Sequence, residues 1–176
     1  MLVTDTETTG LLAPSSANLF AQPYLTQIYV AKLNEDFEII DEFETLIKPR
    51  IPIPEFITKI TGISDETVRD APDFIEIYDD LYSFFLGEDE ILGQNIPFDL
   101  EVLQHELERN ELQFKFPWPR TLNDTVEKSF PILNKRMALG KLYEHCFGCK
   151  FENSHTAKAD AHATLACWKW LVENGY

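Results

Sequence analysis

Three features of the chain predict an α/β domain with a mixed central sheet flanked by helices. Leu25 to Leu33 is apolar on both of its alternating faces, as a strand covered on both sides requires. The turn residues Asn34-Glu35-Asp36 follow. Phe37 to Lys48 then alternates, with Glu42 and Glu44 on one face and Phe43 and Ile47 on the other, so the two runs form an antiparallel hairpin. Further on, Phe74, Ile77, Tyr78, Leu81, Phe84 and Phe85 fall on one helical stripe, and the short apolar run Glu90-Ile91-Leu92-Gly93 comes soon after it. A strand entered from a helix follows the right-handed crossover and lies parallel to an earlier strand, which makes the sheet mixed.

In chain order, Leu2 to Glu7 reads as the first strand, ended by Thr8-Thr9-Gly10. Leu11 to Asn18, small and turn-forming, reads as a mobile loop reaching toward Tyr24, part of a long loop from Leu12 to Pro23. Pro49, Pro52 and Pro54 close the hairpin, and Phe56 to Ile60 and Ser64 to Arg69 are short helical turns around Thr61-Gly62-Ile63. Ala71-Pro72-Asp73 opens the clearest helix and Gly87 stops it. Pro97 sits in the first turn of a helix running to about Asn110, with Phe98, Val102, Leu103 and Leu107 apolar. A link rich in Pro and Phe, Phe114 to Arg120, leads to a strand end at Thr121-Leu122-Asn123 and a helix from Asp124. Helices over Ala138 to Phe147 and Ala157 to Val172 complete the chain. No repeat or break in composition divides it, so residues 1–176 are expected to form a single domain.

With 176 residues, 44% apolar and 12% aromatic, the chain can bury a core of its own. A formal charge of −15 excludes the broad basic face with which many proteins hold a polyanion. A nucleic-acid enzyme of this composition has to engage its substrate locally, through bound cations and a few side chains. Three cysteines, Cys146, Cys149 and Cys167, suit a reducing compartment better than a disulfide framework. There is no apolar run of membrane-spanning length, and the first residues lack the basic start and long apolar stretch of an export signal. A cytoplasmic protein without membrane contact is expected.

The first acidic motif is Asp5-Thr6-Glu7-Thr8-Thr9-Gly10. On a strand, Asp5 and Glu7 project together while Thr6 points away. Two carboxylates on one surface repel, so the pair is either a solvated acidic turn or a place where a divalent cation neutralises it. The second is Asn95-Ile96-Pro97-Phe98-Asp99. It puts Asp99 in the first turn of a helix just past a strand's C-terminal end, where ligands of α/β sheets gather. Ile96 precedes proline and is pushed toward extended geometry, leaving Asn95 outside the helix with its amide free for a ligand. Taken singly, Asp99 is equally a carboxylate at a helix dipole, and Asn95 an ordinary turn residue. The third is His155-Thr156-Ala157-Lys158-Ala159-Asp160. Residues five apart on a helix point about 140° away from each other. His155 and Asp160 therefore converge only if His155 lies on the preceding loop, supplied by Asn153-Ser154, and Asp160 on the first turn. Ala157, Ala159, Ala161, Ala163 and Ala166 would let that helix approach the sheet closely and bring Asp160 beside Asp5.

At these residues the sequence resembles the DnaQ-like, or DEDDh, 3′-to-5′ exonucleases, a family that includes the proofreading subunits of bacterial replicative polymerases. Asp5-Thr6-Glu7-Thr8-Thr9-Gly10, Asn95-x-x-Phe98-Asp99 and His155-x-Ala157-x-x-Asp160 look like its three exonuclease motifs. Ile60-Thr61-Gly62-Ile63 and Asp124-Thr125 match further elements in the right order, and the likeness covers Leu2 to about Trp168. The long Leu12–Pro23 loop departs from the pattern.

The resemblance implies a ribonuclease H-like fold and metal-dependent phosphodiester hydrolysis from the 3′ end of a nucleic acid, with DNA favoured over RNA and a DNA polymerase as a partner; a catalytically silent module that binds nucleic acid or tethers a polymerase is the alternative, disfavoured by the presence of all four carboxylates and the histidine. It implies that Asp5, Glu7, Asp99 and Asp160 bind two divalent cations, Mg²⁺ or Mn²⁺, and that His155 is the general base. It further implies that Thr8, Thr9, Gly10 and Leu11 meet the terminal nucleotide, while Thr61, Ile63, Asn95 and Phe98 line its sugar and base, although Ile63 and Phe98 read equally as core residues. Lys135, Arg136, Lys141 and Lys158 are either phosphate contacts or scattered surface charge. Cys146-Phe147-Gly148-Cys149 lacks a second cysteine pair and reads as a helix end rather than a zinc site.

Overall fold

The computed structural model describes residues 1–151 and 155–176, so the expected Asn153-Ser154 loop lies outside the described residues. Five strands, β1 (Leu2–Thr8), β2 (Leu25–Leu33), β3 (Ile39–Leu46), β4 (Glu90–Gly93) and β5 (Thr121–Asp124), form one sheet in the order β3-β2-β1-β4-β5. β1 occupies the centre, antiparallel to β2 and parallel to β4; β2 pairs antiparallel with β3, and β4 parallel with β5. The mixed sheet expected from the hairpin and the crossover is the one found.

The helices are α1 (Glu55–Thr61), α2 (Phe74–Phe85), α3 (Ile96–Arg109), α4 (Thr125–Leu133), α5 (Leu139–Phe147) and α6 (Ala157–Glu173). Alternation along β1 and β2 divides them between two layers. Leu2, Ile28, Val30 and Ile91 pack with the apolar stripe of α2 and with Val102, Leu103 and Leu107 of α3. On the other face Val3, Tyr29, Ala31 and Leu92 meet Ala157, Ala161, Leu165 and Trp168 of α6. Each large side chain buried in these layers contributes about 1.5–3 kcal/mol relative to exposure. Of the five alanines, Ala157 and Ala161 are the ones seated on the sheet. Ala159, Ala163 and Ala166 instead line a hollow of about 560 Å³ with Tyr143 and Phe151. A 3.6-residue period cannot turn all five to one side.

Polar groups then fix how α6 lies. The Tyr29 ring is buried beneath it, and the Tyr29 hydroxyl donates to Glu42 Oε2 at 3.0 Å and meets His162 Nε2 at 2.9 Å. Lys158 reaches the same Glu42 at 2.9 Å. α5 closes the outer side of α6, with Met137, Leu142, Cys167 and Leu171 forming a small core against which Cys146 packs.

Three local expectations are corrected. β3 begins at Ile39 and not at Phe37, because Phe37 is left-handed (φ 59°) and belongs to a turn in which Asn34 Oδ1 accepts the N–H groups of Asp36 and Glu38. Asn95 does lie outside α3, but Ile96 is the first residue of that helix. Its side chain is fully buried, and so close to the end of β4 that a Cβ on Gly93 would meet Ile96 Cδ1 at 2.7 Å. That burial overrides the pre-proline preference. Finally, the Leu12–Pro23 stretch is tied to the body of the protein. The buried Arg109 guanidinium donates to three of its carbonyls, and the stretch contains a 3-10 turn at Leu19–Ala21.

Candidate active site

β1 and β4 are parallel, so their C-terminal ends share one edge of the sheet, the edge at which α/β sheets place ligands. There β1 turns Asp5 and Glu7 toward α6 and Thr6 toward α3. A bulge interrupts the β1–β2 register directly after Glu7, where the pairing changes from Glu7 with Gln27 to Thr8 with Leu25. Bulges re-aim side chains beside functional sites.

The first turn of α6 is held over this edge from two directions. Thr156 is the N-cap, its hydroxyl accepting the Ala159 N–H at 3.3 Å. From below, Gln27 Oε1 accepts the Ala157 N–H at 3.1 Å while Gln27 Nε2 donates to Glu44 at 3.2 Å. Asp160 in that turn is thereby carried to β1, and one carboxylate oxygen each from Asp5, Glu7 and Asp160 lie within 4.8 Å of one another. His155 stands just before the helix, as convergence with Asp160 requires. It is exposed, left-handed (φ 75°), and its N–H donates to Asp160 Oδ2 at 3.2 Å. The other oxygen, Asp160 Oδ1, is buried without a hydrogen-bond partner among the described residues.

Asp99 approaches from the opposite face. It lies in the first turn of α3, is only 4% exposed, and accepts the Thr6 hydroxyl at 2.6 Å. It stands outside the group of three because α3 and α6 cover different faces of β1, yet its charge acts on both Asp5 and Glu7.

Residues 2–167 match the family described as Exonuclease. The chain belongs to this exonuclease family. Among relatives of the domain, the PolC-type DNA polymerase III of Caldanaerobacter subterraneus subsp. tengcongensis is 33% identical over 174 residues, covering 98% of this chain and 11% of that protein. The 3′-5′ exonuclease DinG of Staphylococcus epidermidis is 31% identical over 165 residues, covering 92% of this chain and 17% of that protein. This exonuclease domain thus spans a small part of either relative. Among solved structures, the zinc-bound complex of E. coli exonuclease I with single-stranded DNA superposes with a TM-score of 0.80 at 22% identity, over 99% of this chain and 40% of that one. The nuclease domain of 3′hExo, a DEDDh family member bound to rAMP, gives 0.74 at 18% identity, over 99% and 92%. At such identities the likeness is one of fold, and it is the ribonuclease H-like fold expected from the motifs.

The other residues expected at the site are found in the following surroundings. Thr8 and Thr9 are buried in the turn that ends β1: Thr8 donates to the Gly10 carbonyl at 2.6 Å, and Thr9 Oγ1 accepts the Tyr24 N–H at 3.0 Å. Leu11, beyond Gly10, is 85% exposed. Thr61 caps the end of α1, donating to the Ile57 carbonyl and accepting the Ile63 N–H, both at 3.1 Å, and Ile63 is buried with Ile53, Ile57 and Val68. Phe98 is partly buried against the main core. Asn95 is exposed and left-handed (φ 61°), and its side chain accepts from Arg136 at 2.8 Å.

Of the four candidate phosphate contacts, Arg136 also pairs with Glu127, Lys141 pairs with Glu144, and Lys158 with Glu42 and Glu44. Exposed pairs of this kind are weak and open readily to a phosphate. Three positioning groups were not legible as such: Gln27, whose polarity in an apolar strand was the available signal; Thr6, read as pointing away from the site; and Asp124, whose Oδ1 accepts both the Asn95 and Val126 N–H groups.

Electrostatics set the cost of this arrangement. Burial raises the Asp5 carboxyl well above the usual range, and Asp99, Asp160 and Glu7 add to it. Glu7 is pushed up to about 7 by burial, then by Asp160 and Asp99. Asp99 is pushed up to about 7 by burial, against the opposing hydrogen bond from Thr6. Burial also raises Asp160, while the His155 N–H draws it back. Clustered oxygens that resist ionisation, one of them unpartnered, suit a hard divalent cation, as membership of the family implies.

Without metal, Glu7 and Asp99 hold protons in the folded chain up to about pH 7, against ordinary values of 4.5 and 3.8. The folded state binds more protons than the unfolded chain across that window, so stability present below it is lost as pH rises toward 7. Melting in chelator should fall over this window and metal should restore it. Asp5→Asn should melt at or above wild type in chelator at neutral pH and lose most of the shift that metal gives. A variant less stable in chelator yet equally stabilised by metal would make Asp5 part of the scaffold.

A second prediction concerns Gln27. Gln27→Met keeps the bulk but removes the acceptor for the Ala157 N–H, loosening the turn that carries Asp160. Activity or metal affinity should drop about 10-fold or more, as for other groups that orient ligands. Metal titrations of activity that overlay those of wild type would remove Gln27 from the site's support.

Proposed function

We propose that this chain is a metal-dependent 3′-to-5′ exonuclease, a self-contained cytoplasmic domain that hydrolyses single-stranded or frayed DNA from the 3′ end and releases nucleoside 5′-monophosphates in proofreading or repair. The observation that carries this reading is the convergence of Asp5, Glu7 and Asp160, with an unpartnered buried oxygen, at the C-terminal edge of β1 beside Asp99. Relatives named as a replicative polymerase and as a 3′-5′ exonuclease support the DNA substrate and a polymerase partner. No described helix is long and apolar enough to cross a membrane. Trimming of RNA is the second reading, favoured by the rAMP-bound structure of similar fold.

In this reading Asp5, Glu7, Asp99 and Asp160 hold two divalent cations, Mg²⁺ or Mn²⁺, through oxygen ligands alone. Bound cations supply charge neutralisation at the phosphate and a more acidic water. His155 accepts the proton of the attacking water on its imidazole, and the Asp160 carboxylate steadies its backbone. Leu11 and the Gly10 backbone receive the terminal nucleotide, and the Thr8 and Thr9 hydroxyls shape the turn that presents them. Phe98 and Asn95 flank the sugar, with Asn95 released from Arg136 as the strand enters, while Thr61 and Ile63 shape the far wall.

End-labelled strands should be shortened stepwise from a free 3′ end in Mg²⁺ or Mn²⁺, single strands faster than matched duplex, with blocked 3′ ends nearly inert. Cuts in a closed circle, or full activity in chelator, would exclude the reading. RNA digested in preference to DNA would select the second. For His155→Ala, turnover should fall about 10²–10⁴-fold with metal binding largely intact. A loss of metal affinity as severe as that of a carboxylate variant would make His155 a ligand instead.

A further inference from the structure

The basic residues of this acidic chain are not spread evenly. Between Glu127 and Glu144 there is no Asp or Glu, yet Lys128, Lys135, Arg136 and Lys141 all lie there, in a chain with 30 acidic and 15 basic residues. Three of these meet in space. Lys135, Arg136 and Lys141, with Met137 and Ala138, line a cleft of about 240 Å³ between the end of α4 and the start of α5. Arg136 pairs with Glu127 at 3.0 Å and Lys141 with Glu144 at 2.6 Å, the two carboxylates that bound the stretch, and both pairs are exposed. Such pairs add little to stability, so the fold itself gives no reason for gathering three cations in one place.

The cleft is fastened to the edge of the sheet that carries the carboxylates. Gln94, the residue after β4, donates from Nε2 to the Met137 carbonyl at 2.8 Å, and the Met137 side chain is buried with Leu142, Cys167 and Leu171. Arg136 Nη2 donates to Asn95 Oδ1 at 2.8 Å. Asn95 immediately precedes α3, and Asp99 follows four residues later in its first turn, about 6 Å along the helix axis. β4 is the parallel neighbour of β1, about 4.8 Å away. The cations of the cleft are thus tied to the end of β4 and lie close to the carboxylates without joining them. The nucleotide removed from a 3′ end carries only the scissile phosphate, so every other phosphate of the strand lies on its 5′ side. Lysine and arginine hold such phosphates by charge-assisted hydrogen bonds that carry no sequence information. We infer that the cleft seats a backbone phosphate on the 5′ side of the scissile one, held by Lys135 and Lys141, with Arg136 turning to it from Asn95. This inference rests on the exonuclease reading above.

The test compares a single-stranded DNA decamer with the dinucleotide TpT, whose one phosphate is the scissile one. Arg136 is left in place, because its bond to Asn95 ties it to the sugar as well. Lys135→Gln/Lys141→Gln should lower kcat/KM on the decamer about 10-fold at low salt, and the slope of its logarithm on log salt concentration should shrink by about 1. On TpT the variant should match wild type, and Lys135→Arg/Lys141→Arg should restore the decamer rate. Lys115→Gln/Arg120→Gln removes the same charge from the link that leads into the start of β5, at the opposite edge of the sheet, and should alter neither rate. Decamers with one uncharged methylphosphonate moved stepwise from the 3′ end should show a slow register 5′ of the scissile bond in wild type, absent in the Lys135→Gln/Lys141→Gln variant. A decamer rate like that of wild type, an equal loss on TpT, or an equal loss in Lys115→Gln/Arg120→Gln overturns the phosphate seat. Wild-type protein that cleaves neither substrate in Mg²⁺ or Mn²⁺ overturns the exonuclease reading itself.

Discussion

Repulsion among the carboxylates at the end of β1 is the constraint to which the surrounding structure answers. Asp5, Glu7 and Asp160 are drawn within 4.8 Å, and Asp99 is buried on the other face of the same strand. Each would rather be apart and wet. The apolar layers under α2 and α6 supply the stability that lets such a cluster persist without a counter-ion, and local polar clamps supply the direction. A site of this kind is a standing cost to the apo fold, which is the usual relation between stability and function at a strained centre.

The clamps share one design. Thr6 fixes Asp99, Gln27 fixes the N-terminus of α6, and Asp124 fixes Asn95, each by a short hydrogen bond from a strand or strand end to the first turn of a helix or the residue before it. The start of a helix has N–H groups with no partner in the helix, and Gln27 and Asp124 accept from such groups, whereas Thr6 gives its hydroxyl to the Asp99 side chain. The helices meet the sheet through apolar side chains, which tolerate small slides. Hydrogen bonds at 2.6 to 3.1 Å do not, and so they set the register of the turns that carry the carboxylates.

Periodicity made the framework legible: the both-faced run of β2, the stripe of α2 and the alternation that pairs Asp5 with Glu7 all come from neighbours in sequence. The His155–Asp160 spacing was legible for the same reason, since helical geometry alone forces His155 off the helix. What stayed hidden are contacts between polar groups far apart in the chain. Gln27 meets Ala157 across 130 residues, and Arg109 reaches Leu19 across 90. No local pattern encodes such a pairing, so Gln27 read as one residue in an apolar strand and the Leu12–Pro23 stretch read as loose. The split of the alanines on α6 was hidden differently, because composition shows that a helix can come close but not which of its small residues face the sheet.

The same charges bear on how a polyanion is admitted. At physiological ionic strength electrostatic reach is about 8 Å, so a distant acidic surface is largely screened and the decisive field is that of the cluster itself. Cations bound by the carboxylates, as proposed above, would reverse the sign of that field where a phosphate has to come close. Strand binding and cation binding are then linked, and linkage is reciprocal: the factor by which cations strengthen strand binding is the factor by which the strand strengthens cation binding. On the exonuclease reading proposed above, a correctly seated 3′ end would complete its own metal site. Discrimination between a free end and an internal stretch of the same polymer can therefore arise from occupancy of the centre as much as from the shape of the cleft.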